Sequence, residues 1–136
     1  MRFDTKIVVA VREDLATWQK LNVTAFLASG VAAGVDEVAG KPYEDRSGNR
    51  YLEMFRQPVL IYVGPAQALA AARERAMARG LPTAIYTEEL FSTGDDDANR
   101  AAVRAVAAES LVLAGLAVYG PRNVVDKVCK GLVLHP

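Results

Sequence analysis

The chain has 136 residues, the length of one domain at the usual ~100–200 residues per domain. Its 16 Lys and Arg residues balance its 16 Asp and Glu residues, and both signs are spread evenly along the chain, so the charge pattern argues against nucleic-acid and membrane-surface partners. A hydrophobic share of 51% with 24% charged residues excludes a disordered chain.

Targeting and redox features are few. The uncharged run from Leu21 to Val35 is shorter than the ~18 apolar residues that a bilayer span needs. Charges begin at Arg2, which does not fit a signal peptide. Cys129 is the single cysteine, so it forms no internal disulfide and fits a reducing compartment. We therefore predict one cytoplasmic domain over residues 1–136.

The hydrophobic pattern predicts strands that alternate with helices. In the first half of the chain it predicts a strand at Lys6–Val11, a helix at Leu15–Ala33 with Asp14 as N-cap, a hairpin between Tyr43 and Glu53, and a strand at Pro58–Val63. A helix at Ala66–Arg79, a strand at Leu81–Tyr86, a helical turn at Glu88–Thr93 and a helix at Ala98–Ala107 follow. The last predicted elements are a strand at Leu111–Tyr119, a helix at Pro121–Val128 and an edge strand at Leu132–Leu134. This order predicts a sheet covered by helices on both sides.

The first predicted helix is apolar almost all round in its second half, from Leu21 to Gly34. Such a helix is buried on more than one side, so we predict that part of it lies in a homodimer interface of at least ~1,000 Å². Gly30 and Gly34 share one face of this helix and would allow a neighbouring backbone to pack closely.

The motifs of several enzyme classes are absent from the sequence. It contains no phosphate-binding loop, no dinucleotide-binding glycine pattern and no nucleophile elbow. The single histidine, His135, stands next to the C-terminus, so a Ser-His-Asp or Cys-His mechanism lacks a well-placed base. One His and one Cys do not make an ordinary zinc site. We therefore predict no metal and no cofactor.

Two clusters allow both a functional and a structural interpretation. Asp95, Asp96 and Asp97 would suit a hard cation, but negative charge before a helix also offsets the helix dipole, and we predict this capping role. Lys127 and Lys130 flank Cys129 along the chain and would lower its thiol pKa. A small buried residue is the interpretation that we favour for this cysteine.

Polar residues near the predicted strand ends are candidates for a site. Lys20 and Asn22 lie in the first helix, Glu88 and Glu89 follow the third strand, and Arg122 follows the fourth. Ligands of α/β sheets gather outside the carboxyl ends of the strands, so these residues converge if the strands are parallel. The alternatives are a lysine whose stem lies along an apolar face and ordinary ion pairs or caps at loop ends.

Several segments resemble type 2 peptidyl-tRNA hydrolases. The matching segments are Lys6–Leu15 with Gln19-Lys20, Gly80–Glu88, Val118–Pro121, Val125–Val128 and Gly131–Leu134, in the order in which that family has them. The whole sequence, with Trp18–Phe26 and Tyr86–Phe91, is more similar still to an uncharacterised bacterial family that shares this fold.

The resemblance implies a three-layer α/β/α domain, often dimeric, with a mixed sheet of about four strands. It places Lys20 at the position of the family's essential lysine and Glu88 at that of its functional acid. The sequence departs from the family in three ways. Gln19 replaces a glycine, the first helix lacks the family's Gln and His, and an insert from Glu89 to about Glu109 replaces the Ala-Gly-Arg-Thr-Gln run after the acid.

Three functions follow as hypotheses. The first is a hydrolase for a small-molecule or peptide-ester substrate, in which Glu88 orients or deprotonates water, Lys20 stabilises the oxyanion, and Asn22, Glu89 and Arg122 bind the ligand. The second is a non-catalytic ligand-binding or regulatory module. The third is a peptidyl-tRNA hydrolase with an altered site, against which the even charge balance counts. A shared site requires the charged groups of Lys20 and Glu88 to lie within ~8 Å of each other.

Overall fold

Short, largely apolar runs form a five-stranded sheet in the computed structural model, which describes residues 2–136. The strands are β1 (Thr5–Arg12), β2 (Tyr43–Glu44), β3 (Arg50–Tyr51), β4 (Val59–Gly64), β5 (Thr83–Thr87), β6 (Leu113–Pro121) and β7 (Val133–Leu134). The helices are α1 (Thr17–Gly34), α2 (Ala66–Ala78), α3 (Asp96–Arg104) and α4 (Arg122–Val128), with 3₁₀ turns at Asp36–Val38, Glu88–Ser92 and Ala108–Ser110. The predicted alternation and the small β2–β3 hairpin are confirmed.

The sheet is mixed, with the strand order β5-β6-β1-β4-β7. β1 and β4 run parallel, whereas β6 runs antiparallel to both β1 and β5, and β7 runs antiparallel to β4. β1, β4 and β5 therefore end at the same edge of the sheet, at Arg12, Gly64 and Thr87. We call this the carboxyl edge. The sheet has one strand more than the four expected, because the pairing of β7 with β4 extends it.

Helices cover both faces of the sheet because β1 is apolar at every central position. Its alternate side chains Ile7, Val9 and Val11 belong to one core cluster, together with Val23, Leu27 and Val31 of α1. Val8 and Ala10 point to the other face and pack with residues of α2 and α4, among them Leu69, Ala72, Val125 and Val128. The result is a helix–sheet–helix arrangement.

The start of α1 differs from the prediction. Its N-cap is Ala16 rather than Asp14, because Asp14 accepts a hydrogen bond of 2.6 Å from Arg12 Nε instead. The helix buries Val23, Leu27 and Val31 but leaves Leu21 67% and Phe26 52% exposed. Within residues 2–136, the rest of the chain thus packs fully against only one side of α1. None of its helices is both long enough and apolar enough to cross a membrane.

The expected convergence of Arg122 with the other candidate residues is wrong. Pro121 pairs with Thr5 at the start of β1, so Arg122 lies at the edge opposite to the carboxyl edge. Its guanidinium donates hydrogen bonds of 3.2 Å to the carbonyl of Phe3. The reason is the direction of β6. It runs antiparallel to β5, so it begins at the carboxyl edge, where β5 ends, and finishes at the opposite edge, where Arg122 follows it.

The segment between β5 and β6 contains the predicted capped helix. Asp95 is the N-cap of α3, and its Oδ1 accepts a hydrogen bond of 2.8 Å from the backbone N–H of Ala98. This confirms the capping interpretation of the aspartates. Within residues 2–136 no group of three or more His, Cys, Asp or Glu side chains is arranged to hold a metal ion.

Two other predictions have mixed outcomes. Cys129 is buried, as expected, but burial raises its pKa to about 11 and outweighs the nearby positive charges of Lys6 and Arg75; the expected lowering is wrong. Gly30 lies where an added Cβ would meet the Ala84 Cβ at 3.0 Å, whereas Gly34 has no neighbour within 4 Å. Only the first of the two glycines serves close packing.

Candidate functional site

A polar cluster at the carboxyl edge is centred on Arg12. Its Nε donates to Asp14 at 2.6 Å, its Nη2 approaches Glu88 at 3.4 Å, and its Nη1 donates to the carbonyl of Leu113 at 3.2 Å. Burial lowers the pKa of the guanidinium, but the hydrogen bonds to both carboxylates outweigh it, so the pKa is raised. The cluster is therefore an ion-pair network with a nearly buried arginine at its centre.

Lys20 and Glu88 have different partners. The Nζ of Lys20 is 3.1 Å from His135 Nε2. The hydrogen bond from Arg12 lowers the pKa of Asp14, and the positive charge of Lys20 adds a smaller lowering. Within residues 2–136 no hydrogen bond or ion pair joins Lys20 to Glu88. The two candidates thus make no direct contact: Glu88 follows the outer strand β5, whereas His135, the partner of Lys20, follows the outer strand β7 on the other side of the sheet.

A cleft of about 420 Å³ adjoins the Arg12 cluster; its lining residues are Arg12, Glu13, Asp14, Pro65, Ala66 and Glu88. Lys20 is not one of them. Glu89 is exposed on the 3₁₀ turn that follows β5 and lines neither this cleft nor the larger cavity described next.

A larger cavity, of about 550 Å³, lies between α1, the end of β5 and the start of α3. We call it the α1–α3 cavity. One wall is a stripe along α1 formed by Trp18, Asn22, Phe26 and Ser29, whose spacings of four, four and three residues place them on one face of the helix. The other walls are Tyr86 of β5, the 3₁₀ turn and the first turn of α3.

Four aromatic rings line the apolar wall of the cavity. Trp18 meets Phe91 edge-on at a centroid distance of 6.0 Å, Phe91 meets Tyr86 at 5.1 Å, and Tyr86 meets Phe26 at 5.7 Å. The interplanar angles lie between 54° and 71°, so no ring is stacked flat on its neighbour. Trp18 and Phe26 remain more than half exposed and are available to a ligand.

Polar groups are placed among these rings. Asn22 donates a hydrogen bond of 3.2 Å from Nδ2 to the hydroxyl of Tyr86. Burial raises the pKa of Tyr86, against the smaller effect of Asn22, so this phenol stays protonated at neutral pH. On the opposite wall the Thr93 hydroxyl contacts the Asn99 side-chain oxygen, and Asp95 and Asp96 also line the cavity.

Of the predicted site residues, only Asn22 lines the α1–α3 cavity. Trp18, Phe26, Phe91 and Asp95 were not predicted as site residues. One signal would have found two of them: Trp18 and Phe26 stand four residues before and after Asn22, which puts an amide between two aromatic rings on one helical face. Arg12 and His135 have no local signal, because only tertiary contacts bring Arg12 to Glu88 and His135 to Lys20.

Comparison with known proteins agrees with this fold. The family described as a protein of unknown function, DUF2000, matches residues 5–136. The chain belongs to the DUF2000 family. A solved structure of a protein of unknown function from Agrobacterium tumefaciens strain C58 is similar at 43% sequence identity and a TM-score of 0.95, over 99% of this chain and 100% of that chain. No curated protein matches the chain.

These comparisons bear on the fold and name no activity. The DUF2000 match includes both the carboxyl edge and the α1–α3 cavity. The function must therefore be argued from the chemistry of these two places.

Proposed function

We propose that this DUF2000 protein binds a small organic molecule in the α1–α3 cavity. The observation that carries the proposal is the composition of the cavity. Its volume of about 550 Å³ lies within the range of ~300–1,000 Å³ that is usual for ligand sites, and such sites combine aromatic walls with a few polar groups. Tyr86 and Asn22 are oriented by their mutual hydrogen bond, so part of the wall is preorganised.

Hydrolysis at Lys20 and Glu88 is the second candidate. It is supported by the cleft beside Arg12, Asp14 and Glu88 and by the positive charge of Lys20, which contributes to the lowered pKa of Asp14. Glu88 would orient or deprotonate water there, and Lys20 would stabilise the oxyanion. The order of the motifs and the mixed sheet support a type 2 peptidyl-tRNA hydrolase-like fold, and hydrolysis of peptidyl-tRNA itself is the narrowest form of this candidate.

Three features favour binding over hydrolysis. Lys20 is engaged by His135, and Glu88 by Arg12. Neither Lys20 nor Glu88 lines the α1–α3 cavity. The Glu88 side chain is 53% exposed, whereas a general base works best in a site that excludes bulk water.

The assembly that we propose is a cytoplasmic homodimer, with the exposed side of α1 as part of the interface. Ala25, Ala28 and Ala32 of α1 form an apolar groove with Met54 and Phe55. The β2–β3 hairpin and the residues after it add exposed apolar side chains, namely Tyr43, Tyr51, Leu52 and Met54. A second copy of the chain would remove this surface from water.

Trp18 fluorescence can report binding at the proposed site, because Trp18 is the single tryptophan of the chain and lines the cavity. A library of fragments should be screened against the full chain by Trp18 fluorescence, and the hits mapped by ¹H–¹⁵N NMR. We expect hits that shift Trp18 emission together with the side-chain amide signals of Asn22 and Asn99.

A matched pair of variants tests where the fragments bind. Phe26→Ala removes an exposed ring from the cavity wall, whereas Met77→Ala removes an equally exposed apolar side chain from α2. We expect Phe26→Ala to weaken the hits by about 5-fold or more and Met77→Ala to leave them unchanged. Hits that map instead to Glu13, Ala66 and Glu88, and that are lost in Lys20→Met, would overturn the binding proposal in favour of hydrolysis.

A further inference from the structure

We infer that the ligand class of the α1–α3 cavity is an organic ammonium cation: a protonated or methylated amine of a few carbon atoms. This inference rests on the proposed function and adds the ligand's charge and chemistry to it. Three properties of the cavity carry it: the aromatic surface, the sign of the charged groups that line it, and the engagement of the α3 N-terminus by the chain's own carboxylates.

The aromatic surface is the first property. Rings attract a cation through the negative charge of their faces, and the attraction is strongest for tryptophan. Trp18, Phe91, Tyr86 and Phe26 follow one another around the cavity at tilted angles. Tyr86 is buried, but Trp18 and Phe26, at the two ends of this row, are more than half exposed and offer aromatic surface to a compact cation.

The sign of the lining charges is the second property. Asp95 and Asp96 line the α1–α3 cavity, and among residues 2–136 no Lys, Arg or His does. Asp96 is paired with Arg100 at 2.6 Å, so its charge is largely compensated. Asp95 has no ion-pair partner within residues 2–136 and uses only Oδ1 for the helix cap. Its carboxylate is the negative charge available to a ligand.

The N-terminus of α3 would by itself favour an anion. Here the chain's own carboxylates engage that end: Asp95 accepts from the Ala98 N–H, and Asp96 and Asp97 stand in the first turn. A phosphate or carboxylate ligand would meet the charges of these aspartates. The cavity therefore disfavours nucleotides and acidic metabolites and favours a positive ligand.

The test compares choline with 3,3-dimethylbutan-1-ol, which has nearly the same shape and no charge. Each is titrated into the full chain at constant ionic strength, adjusted with NaCl, and followed by Trp18 fluorescence and by the side-chain amide signals of Asn22 and Asn99. We expect choline to saturate these signals with an affinity at least ~5-fold higher than that of the neutral compound, the size of effect that cation–aromatic attraction gives.

Two variants separate the effect of the Asp95 carboxylate on choline affinity from the general effect of negative charge at the start of α3. Asp95→Asn keeps a good N-cap residue and removes the carboxylate. We expect it to weaken choline by about 3-fold or more and to leave 3,3-dimethylbutan-1-ol unchanged. Asp97→Asn removes an equal charge from the same turn, but Asp97 does not line the cavity and pairs with Arg100; we expect no change in choline affinity.

The inference is overturned if choline binds no better than its neutral analogue, if choline does not bind, or if Asp97→Asn weakens it as much as Asp95→Asn. None of these results would by itself contradict the proposed function. Neutral fragments could still bind in the cavity, as shown by a change in Trp18 fluorescence and by weaker binding in the Phe26→Ala variant. Failure of the fragment screen, in contrast, would remove both.

Discussion

At the scale of single residues, Arg12 is a nearly buried cation that is held by three partners. Its side chain is 11% exposed and satisfies two carboxylates and the carbonyl of Leu113. The cluster therefore has a structural role, joining the ends of β1 and β5 to the start of β6, whatever chemistry the carboxyl edge also performs.

Arg12→Met tests this structural role. The substitution keeps an apolar stem and leaves the Leu113 carbonyl and two carboxylates without their donor, so we expect a loss of roughly 1–3 kcal/mol in the free energy of unfolding. Urea denaturation followed by circular dichroism measures it. Arg100→Met is the matched control, since Arg100 also pairs with two aspartates but is exposed; an equal loss in both variants would contradict the structural role of Arg12.

Asp45 gives a pH-dependent prediction. Its carboxylate accepts hydrogen bonds from the Tyr51 hydroxyl, the Asn49 side chain and amide, and the Ser47 amide, which lower its pKa from 3.8 to about 2. Because the folded pKa is depressed, the stabilisation is present above the ordinary pKa and is lost as the pH falls through about 2. We expect the Asp45 carboxyl carbon to titrate by NMR with a midpoint near 2. A midpoint near 3.8 would show that the β2–β3 loop is not held in this way.

At the scale of elements, α1 has two faces with different tasks. Val23, Leu27 and Val31 pack on the sheet, and the stripe from Trp18 to Ser29 lines the α1–α3 cavity. The sequence predicts the helix because its apolar positions are dense. It does not predict the two faces, because apolar residues nearly all round give no helical periodicity from which to tell a core face from a ligand face.

The contact of α1 with the sheet depends on Gly115 of β6. An added Cβ there would lie 2.7 Å from Val23 Cγ1 and 2.8 Å from the Ala10 carbonyl oxygen. We expect Gly115→Ala to lower the free energy of unfolding by roughly 1–3 kcal/mol, because the helix must move away from the sheet. Gly34→Ala is the control, since a Cβ at that helix end has nothing within 4 Å; a comparable loss in both, by urea denaturation, would contradict the packing argument.

The segment between β5 and β6 shows what local signals can predict. The glycine and three aspartates before an alanine-rich run predict a capped helix, and Asp95 caps it. The cavity that this helix completes was not predicted, because Asp95 and Trp18 are 77 positions apart along the chain (95 − 18) and only the fold brings them to the same space.

At the scale of the whole molecule, the alternation of apolar runs predicts the layers but not the strand directions. A parallel and an antiparallel β6 would have the same apolar pattern, since both are buried on two faces. The placement of Arg122 at the ligand edge was therefore wrong. Glu88 directly follows β5 at the carboxyl edge, and a site shared by Lys20, Asn22 and Glu88 stays a prediction. Their partners His135 and Arg12 depend on pairings across the sheet that no local pattern contains.

The homodimer is the prediction at this scale. We expect sedimentation analysis at micromolar concentration to give twice the chain mass of 14.6 kDa. Met54→Glu should shift the equilibrium to the monomer by placing a charge in the apolar groove beside α1. Met77→Glu is the control, because Met77 is similarly exposed on α2. A wild-type chain that stays monomeric up to ~100 μM would contradict a specific interface of the usual size.

The central claim is that the α1–α3 cavity is where this protein meets its ligand, and a crystal structure of the full chain with the strongest fragment hit tests it most directly. We predict electron density for the fragment between α1 and α3, in contact with the Trp18 and Phe91 rings and within hydrogen-bonding distance of Asn22. Density in the cleft of Arg12, Asp14 and Glu88, with the α1–α3 cavity left empty, would contradict the account.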